Sequence, residues 1–411
     1  MFHKNKRTFF NYLWLAFFAF LSFSSCKKLK TAEMKTVSNQ EIKTPIGMIW
    51  VERKTFLQGA KETDKHAMPR EKPAHLVTVD GFYMDATEVT NKQYAAFVDA
   101  TKYVTIAERK IDWEEMKTNL NDIIFSLTKE LKKVDDTLSE PSDIQYEITQ
   151  LNDSLGNLKL DLEMKKMLPA NTPKPHDSIL QPGSLIFNKN VNAIANMNNY
   201  GQWWTWKIGA NWKHPGGPDS TIKGKENYPV VHIALEDALA YCKWANRRLP
   251  TESEWESAAQ GTNSNTIFTW GNDATILNMN ANTWQGVFPT KNESKDGFEF
   301  ISPVKSFPPN SIGLYDMTGN VWEITADLFN VNYYNEIDIS KPLLNPKGAN
   351  KSYSPSNPYQ AEHVMKGGSF LCHDSYCASY RISAKMGVTV DSGSDHMGFR
   401  TVATTKMLSS K

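Results

Sequence analysis

Short apolar runs and alternations mark the start of the folded part of the chain. Met48-Ile49-Trp50-Val51, Phe56-Leu57 and His75-Leu76-Val77-Thr78-Val79 fall between Ile46 and Thr105. A period of two puts every second side chain on one face, so these runs predict short strands. Thr90-Asn91-Lys92-Gln93 then opens a helical segment bearing Tyr94, Phe97 and Val98, with Thr90 as its cap. At about Glu108 the period changes. Trp113, Met116, Leu120, Ile123, Leu127, Leu131, Val134 and Leu138 recur at steps of three and four. A second series, Ile144, Ile148, Leu151, Leu155, Leu158 and Leu162, follows Glu140-Pro141-Ser142-Asp143. Two such stripes around a proline turn predict an antiparallel helical hairpin inserted over 108–182. It either packs on its own seam or offers that seam to a partner. From Gly183 to Ala403 turns and aromatics dominate again. Glu236 to Arg247 predicts a short buried helix, and Thr251 with Glu254 three residues on predicts a capping box that opens another.

The N-terminus follows other rules. Lys4, Lys6 and Arg7 precede an apolar run from Phe9 to Phe23, and Ser24-Ser25-Cys26 comes next. A basic start, a short apolar core and small residues read as a secretory signal over 1–25, too short for a comfortable membrane span. The cysteine after two serines resembles a bacterial lipobox, so Cys26 is expected to carry lipid and 26–44 to act as a tether. An ordinary signal peptide or a membrane anchor with an incidental cysteine competes with that reading. The expected location is the periplasm or cell envelope, held to the membrane through the lipid anchor. A net charge of +1 excludes the basic field that nucleic acid needs, so no nucleic-acid partner is expected. Twelve Trp and 15 Tyr with dispersed Gly and Pro fit a compact body with much irregular, aromatic-pinned backbone better than a helical bundle or a regular βαβ array.

Candidate chemistry sits near the C-terminus. Gly367-Gly368-Ser369-Phe370-Leu371-Cys372-His373-Asp374-Ser375-Tyr376-Cys377 places two thiols five residues apart after a glycine pair. Such a pair can close a disulfide, hold a soft metal ion, or perform redox chemistry on a substrate. Cys242, on the apolar face of its helix, reads as an inert buried thiol. Trp322 reads equally as core or as a pocket wall, and Ser369 as a turn residue or a site residue. An exposed turn histidine would look the same as a functional His373.

The segments Gly81-Phe-Tyr-Met-Asp-Ala-Thr-Glu-Val-Thr-Asn91, Gly209-Ala-Asn-Trp-Lys-His-Pro215, Tyr228-Pro-Val-Val-His232 and Arg248-Leu-Pro-Thr-Glu-Ser-Glu-Trp255 resemble the formylglycine-generating enzymes (the sulfatase-modifying factor family). Ala281-Asn-Thr-Trp-Gln-Gly286, Gly313-Leu-Tyr-Asp-Met-Thr-Gly-Asn-Val-Trp-Glu323, the cysteine segment and Gly398-Phe-Arg400 extend the likeness. It covers 45–107 and 183–403. The resemblance implies an α+β, C-type-lectin-like fold with little regular secondary structure, and oxidation of a cysteine in a sulfatase Cys-x-Pro-x-Arg segment to formylglycine with O2. The substrate is an unfolded polypeptide. It implies copper(I) held by Cys372 and Cys377, with Ser369, Trp322, Tyr376 and His373 around them. It also implies calcium at Asn282, Thr283, Asp296 and Phe298, and again at Asp316, Gly319, Val321 and Glu323, although such loops by spacing alone are more often plain turns. His396 stands where the family commonly has asparagine. A noncatalytic lipoprotein of the same fold, serving as a scaffold in gliding-motility or secretion machinery, is the alternative function.

Overall fold

A computed structural model describes residues 44–113, 174, 176, 177 and 180–409, apart from 195, 198, 358 and 359. The expected signal segment, Cys26, nearly all of the tether and most of the hairpin lie outside them. At the hairpin's two ends, Ile111 N donates to Leu180 O at 3.4 Å.

Strand β3 (His75–Val79) shows why the alternation matters: His75, Val77 and Val79 are buried, while Leu76 is 47% exposed. It pairs antiparallel with β2 (Lys54–Gln58) and parallel with β10 (Leu343–Leu344). A second sheet joins the two ends of the domain. Strand β4 (Phe82–Asp85) lies between β1 (Met48–Val51) and β14 (Val402–Ala403), antiparallel to both. The third sheet carries the site and has the order β12-β11-β9-β13, with β9 at Trp322–Leu328, β11 at Glu362–Lys366, β12 at Met386–Thr389 and β13 at Met397–Gly398. Two hairpins complete the set: β5 (Gly183–Phe187) with β6 (Trp204–Ile208), and β7 (Gly286–Val287) with β8 (Lys291–Asn292). Long irregular segments connect these elements, as the α+β expectation requires.

Both expected caps form. Helix α1 (Asn91–Thr101) starts with Gln93 N donating to Thr90 Oγ1 at 3.3 Å and Thr90 N to Gln93 Oε1 at 2.8 Å. Helix α3 (Glu252–Gln260) repeats the device with Thr251 and Glu254, at 3.1 and 2.8 Å. Each cap satisfies orphan amides and contributes about 1 kcal/mol. Helix α2 (Leu235–Ala245) ends two residues before the expected Arg247, because Asn246 turns left-handed at φ 55° and caps it. Asn tolerates that conformation. Tyr94 and Phe97 of α1 pack on Tyr241 of α2, and Tyr94 also on Phe399, with ring centroids 5.6–6.4 Å apart. Cys242 lies in this cluster as a free thiol that burial pushes up to about 12.

One core histidine makes the fold sensitive to acid. His232 is fully buried at φ 61°, its Nε2 bonded to Pro215 O at 2.9 Å, and burial lowers its pKa from 6.5 to about 4. Between those values the unfolded chain takes up a proton that the folded chain refuses. This contribution is therefore present above pH 6.5 and is lost as pH falls toward 4, at a scale of roughly 3 kcal/mol. His232→Asn keeps a side chain that accepts left-handed backbone. Urea midpoints of the variant are expected to fall less steeply across this window than those of the parent.

Candidate active site

Strand β11 delivers the chain into Gly367 and Gly368, both left-handed at φ 89° and 73°. At Gly368 the backbone doubles back so closely that an added Cβ would lie 2.9 Å from Ser379 C and O and from Tyr380 N. Between these arms the loop closes on itself. Cys372 N donates to Ser369 O at 2.9 Å, and the amides of Tyr376, Cys377 and Ala378 all donate to His373 O at 3.0–3.1 Å. Ser369 N donates to Cys372 Sγ at 3.4 Å, while Ser369 Oγ accepts Leu371 N at 3.3 Å. Gly368→Ala forces a side chain into that seam and a strained φ on it. It is expected to cost about 2 kcal/mol or more in thermal or urea unfolding.

The closure brings the sulfurs of Cys372 and Cys377 into hydrogen-bond contact, and both are free thiols. They are unequal. Cys372 is 2% exposed, and burial first, then its partner's charge, pushes its pKa well up. Cys377 is half-buried, and the hydrogen bond from Cys372 lowers its pKa to about 7. A soft cation binds the thiolate form, so holding one displaces protons from the pair. No disulfide staples the described residues.

Two aromatic groups flank the loop. Trp322, 3% exposed on β9, belongs to the buried cluster that contains Cys372, which makes it a core residue. Tyr376 faces the other side, stacked on Phe288 at 4.9 Å and edge-on to Trp203 at 5.6 Å. Trp284 N donates to Cys372 O at 3.1 Å. Sequence reasoning passed over Phe288, Trp203 and Trp284. His373 points away from the core, sharing a 2.8 Å hydrogen bond between its Nδ1 and Ser375 Oγ. With Asp374 and Tyr380 it lines a groove of about 690 Å³ that Thr63–His66 also line. His373 and Asp374, which follow Cys372 directly, bring this groove next to the cysteine loop.

The two candidate calcium loops meet each other. Asn320 N donates to Asn282 O at 2.9 Å, and Gly319 packs so tightly on that carbonyl that a Cβ could not fit. In the first loop Asp296 accepts Thr283 N (3.0 Å) and Gln285 Nε2 (2.9 Å) on Oδ2, and Phe298 N (2.9 Å) on Oδ1. Gln285 Nε2 also meets the carbonyl and hydroxyl oxygens of Thr283, so three oxygens converge on one donor NH2 group. That donor set suits a hard cation. In the second loop Asp316 is left-handed at φ 55°. Its Oδ2 accepts Lys305 N at 2.8 Å, and its Oδ1 has no partner. Glu88, not singled out as a site residue from the sequence, leaves Oε2 unpartnered in the same neighbourhood; burial and the nearby Asp316 carboxylate push its pKa well up. Burial likewise raises Asp316 to about 6. Val321 is fully buried, and Glu323 spends both oxygens on Arg400 at 2.6 Å and on Trp255 Nε1 at 2.7 Å. The open oxygens of Asp316 and Glu88 fit a cation; Glu323 could join one only by sharing. Among the described residues, no three His, Cys, Asp or Glu side chains form a metal cluster, so any cage there depends on backbone carbonyls.

Residues 33–405 match the sulfatase-modifying factor enzyme 1-like domain family. The formylglycine-generating enzyme of Mus musculus is 37% identical over 336 residues, 81% of this chain and 68% of the mouse protein. That of Thermomonospora curvata is 33% identical over 358 residues, 87% of this chain and 93% of the bacterial protein. A second mouse protein, inactive C-alpha-formylglycine-generating enzyme 2, is 32% identical over 348 residues, covering 84% of this chain and 82% of that one.

Proposed function

Because the chain belongs to the sulfatase-modifying factor family and is an oxidase of its formylglycine-generating kind, we propose that it oxidises a cysteine in the Cys-x-Pro-x-Arg segment of an unfolded sulfatase with O2. One copper(I) ion is held by Cys372 and Cys377. The observation that carries this reading is the unequal, unbridged thiol pair beside an open groove. When bound, copper(I) supplies a soft site for a third thiolate and the electron exchange with O2.

The chain's own residues do the rest. Cys372 keeps its sulfur sealed from water, and Cys377 presents the edge that substrate reaches. Trp322 shields the inner side, and Tyr376, clamped by Phe288 and Trp203, walls the outer side. Ser369 orients the Cys372 sulfur through its amide, and its hydroxyl faces the same turn. His373 and Asp374 line the groove where the peptide lies. Calcium at Asn282, Thr283, Asp296 and Phe298, and at Asp316, Gly319, Val321 and Glu323 with Glu88 nearby, fixes the loops behind this wall. Lipid on Cys26 would hold the domain at the membrane, where it meets exported sulfatases before they fold.

The test is direct. The soluble domain, loaded with copper(I), is incubated in air with a Cys-x-Pro-x-Arg peptide, and mass spectrometry follows replacement of the thiol by an aldehyde. Folded, copper-loaded protein without turnover would sink the oxidase and leave the noncatalytic lipoprotein scaffold.

A further inference from the structure

Arg381 is 1% exposed and every nitrogen of its guanidinium donates. Nε donates to Ala378 O at 2.9 Å, Nη1 to Asp64 Oδ2 at 2.7 Å and Glu71 Oε2 at 2.6 Å, and Nη2 to Glu71 Oε1 at 2.8 Å. Two of these partners sit at the site. Ala378 directly follows Cys377 and is left-handed at φ 44°, a conformation that costs a non-glycine residue about 1–2 kcal/mol unless something holds it. Asp64 lines the groove, and its Oδ1 also accepts His66 N at 3.0 Å.

A single planar fork therefore joins the backbone at the second cysteine to the wall that a bound peptide touches. We propose that Arg381 is a positioning residue for the cysteine pair: it locks the left-handed turn at Ala378 against Asp64, so the spacing of the two sulfurs depends on the groove wall. This rests on reading the pair as a soft-metal site, but the sulfur spacing can be tested without turnover. A buried ion pair is weak evidence of stabilisation for its own sake, and geometry is a better account of why three charges are kept there. Groups that orient ligands from behind typically govern metal affinity ten- to a hundredfold.

Three variants separate positioning from bulk stability. Arg381→Lys keeps the charge but not the planar fork, so Ala378 O loses its donor. Asp64→Asn removes the charge at the wall and spares the Glu71 pair. Ser383→Ala deletes a hydroxyl that donates to Glu71 Oε2 at 2.9 Å and accepts Arg381 Nη1 at 3.3 Å, in the same network but touching neither Ala378 nor Asp64. Copper(I) affinity of the full chain is titrated against a chromophoric chelator. In parallel, the metal-free protein is reacted with phenylarsine oxide, which bridges two thiols at fixed spacing, and thermal melting is recorded for each variant. Arg381→Lys is expected to weaken copper(I) about a hundredfold and Asp64→Asn about tenfold, with arsenical bridging slowed in the same order. Ser383→Ala should leave both within about twofold, even where its melting temperature falls as far as that of Asp64→Asn. Affinity and bridging that track melting temperature across all three variants would overturn the proposal. If the parent bridges arsenic but binds no copper(I), the metal reading fails and the bridging rates still decide on Arg381. Should Arg381→Lys not fold, Asp64→Asn against Ser383→Ala carries the comparison.

Discussion

Replacing either Cys372 or Cys377 by serine is expected to cut peptide oxidation by about a thousandfold or more, with the fold intact. Neither thiol staples the chain, since both are free, and the loop around them is held by backbone amides on Ser369 O and His373 O. Serine at 372 still offers an acceptor to Ser369 N, so only a modest loss of packing is expected there. Serine at 377 is half-buried and should matter less to stability. Activity behaves differently, because two donors that act as a unit are not worth half each. The double variant should be no worse than either single one, a non-additivity that single-turnover kinetics would expose. Copper(I) stoichiometry should fall to zero in all three, while melting temperatures stay within a few degrees. If Cys372→Ser retained full turnover, the chemistry assigned to the pair would be wrong.

Arg400→Met should unfold the protein most readily. Arg400 is fully buried, holds Glu323 with two 2.6 Å bonds, and donates to the carbonyls of Tyr315 (2.9 Å) and Asp85 (3.2 Å). Glu88 and Asp316 also feel its charge. Removing it leaves a buried carboxylate without a counter-charge, which typically costs about 3–5 kcal/mol. Against a usual total of roughly 5–15 kcal/mol, that is a large share. Adding Glu323→Gln, which keeps an acceptor for Trp255 Nε1, should recover about 1–2 kcal/mol by removing the stranded charge. Urea unfolding of the two single variants and the double variant measures the coupling. Additive losses would mean that the pair is not the organising contact behind the site.

Features written in consecutive residues could be read from the chain. The alternation over His75–Val79 gave the strand and its buried face, and Thr90–Gln93 and Thr251–Glu254 gave the helix starts. Gly367 and Gly368 before the cysteines announced a sharp reversal that L side chains would resist. The end of α2 was legible too, since Asn246 is a residue that accepts a left-handed cap, but the apolar run was followed past it. What stayed hidden depends on residues far apart. Arg381 meets Glu71 across 310 positions and Asp64 across 317, and nothing local says which carboxylates it will claim. Glu88 lay inside a motif that was read, yet a glutamate before a helix cap looks like surface until 232 positions later Asn320 folds over it. Burial of charge is a property of the assembled sheets.

The asymmetry of the two sulfurs also sets an order in which the site wears out. An oxidant can reach only Cys377, the more acidic and more accessible thiol, so sulfenic acid is expected to form there first. Cys372 waits behind it within bonding reach and sealed from further attack. Condensation between them would halt the damage at a reducible bridge, before the irreversible acids are reached. In an oxidising compartment, copies without metal would then be parked and recoverable by reductant, instead of being lost.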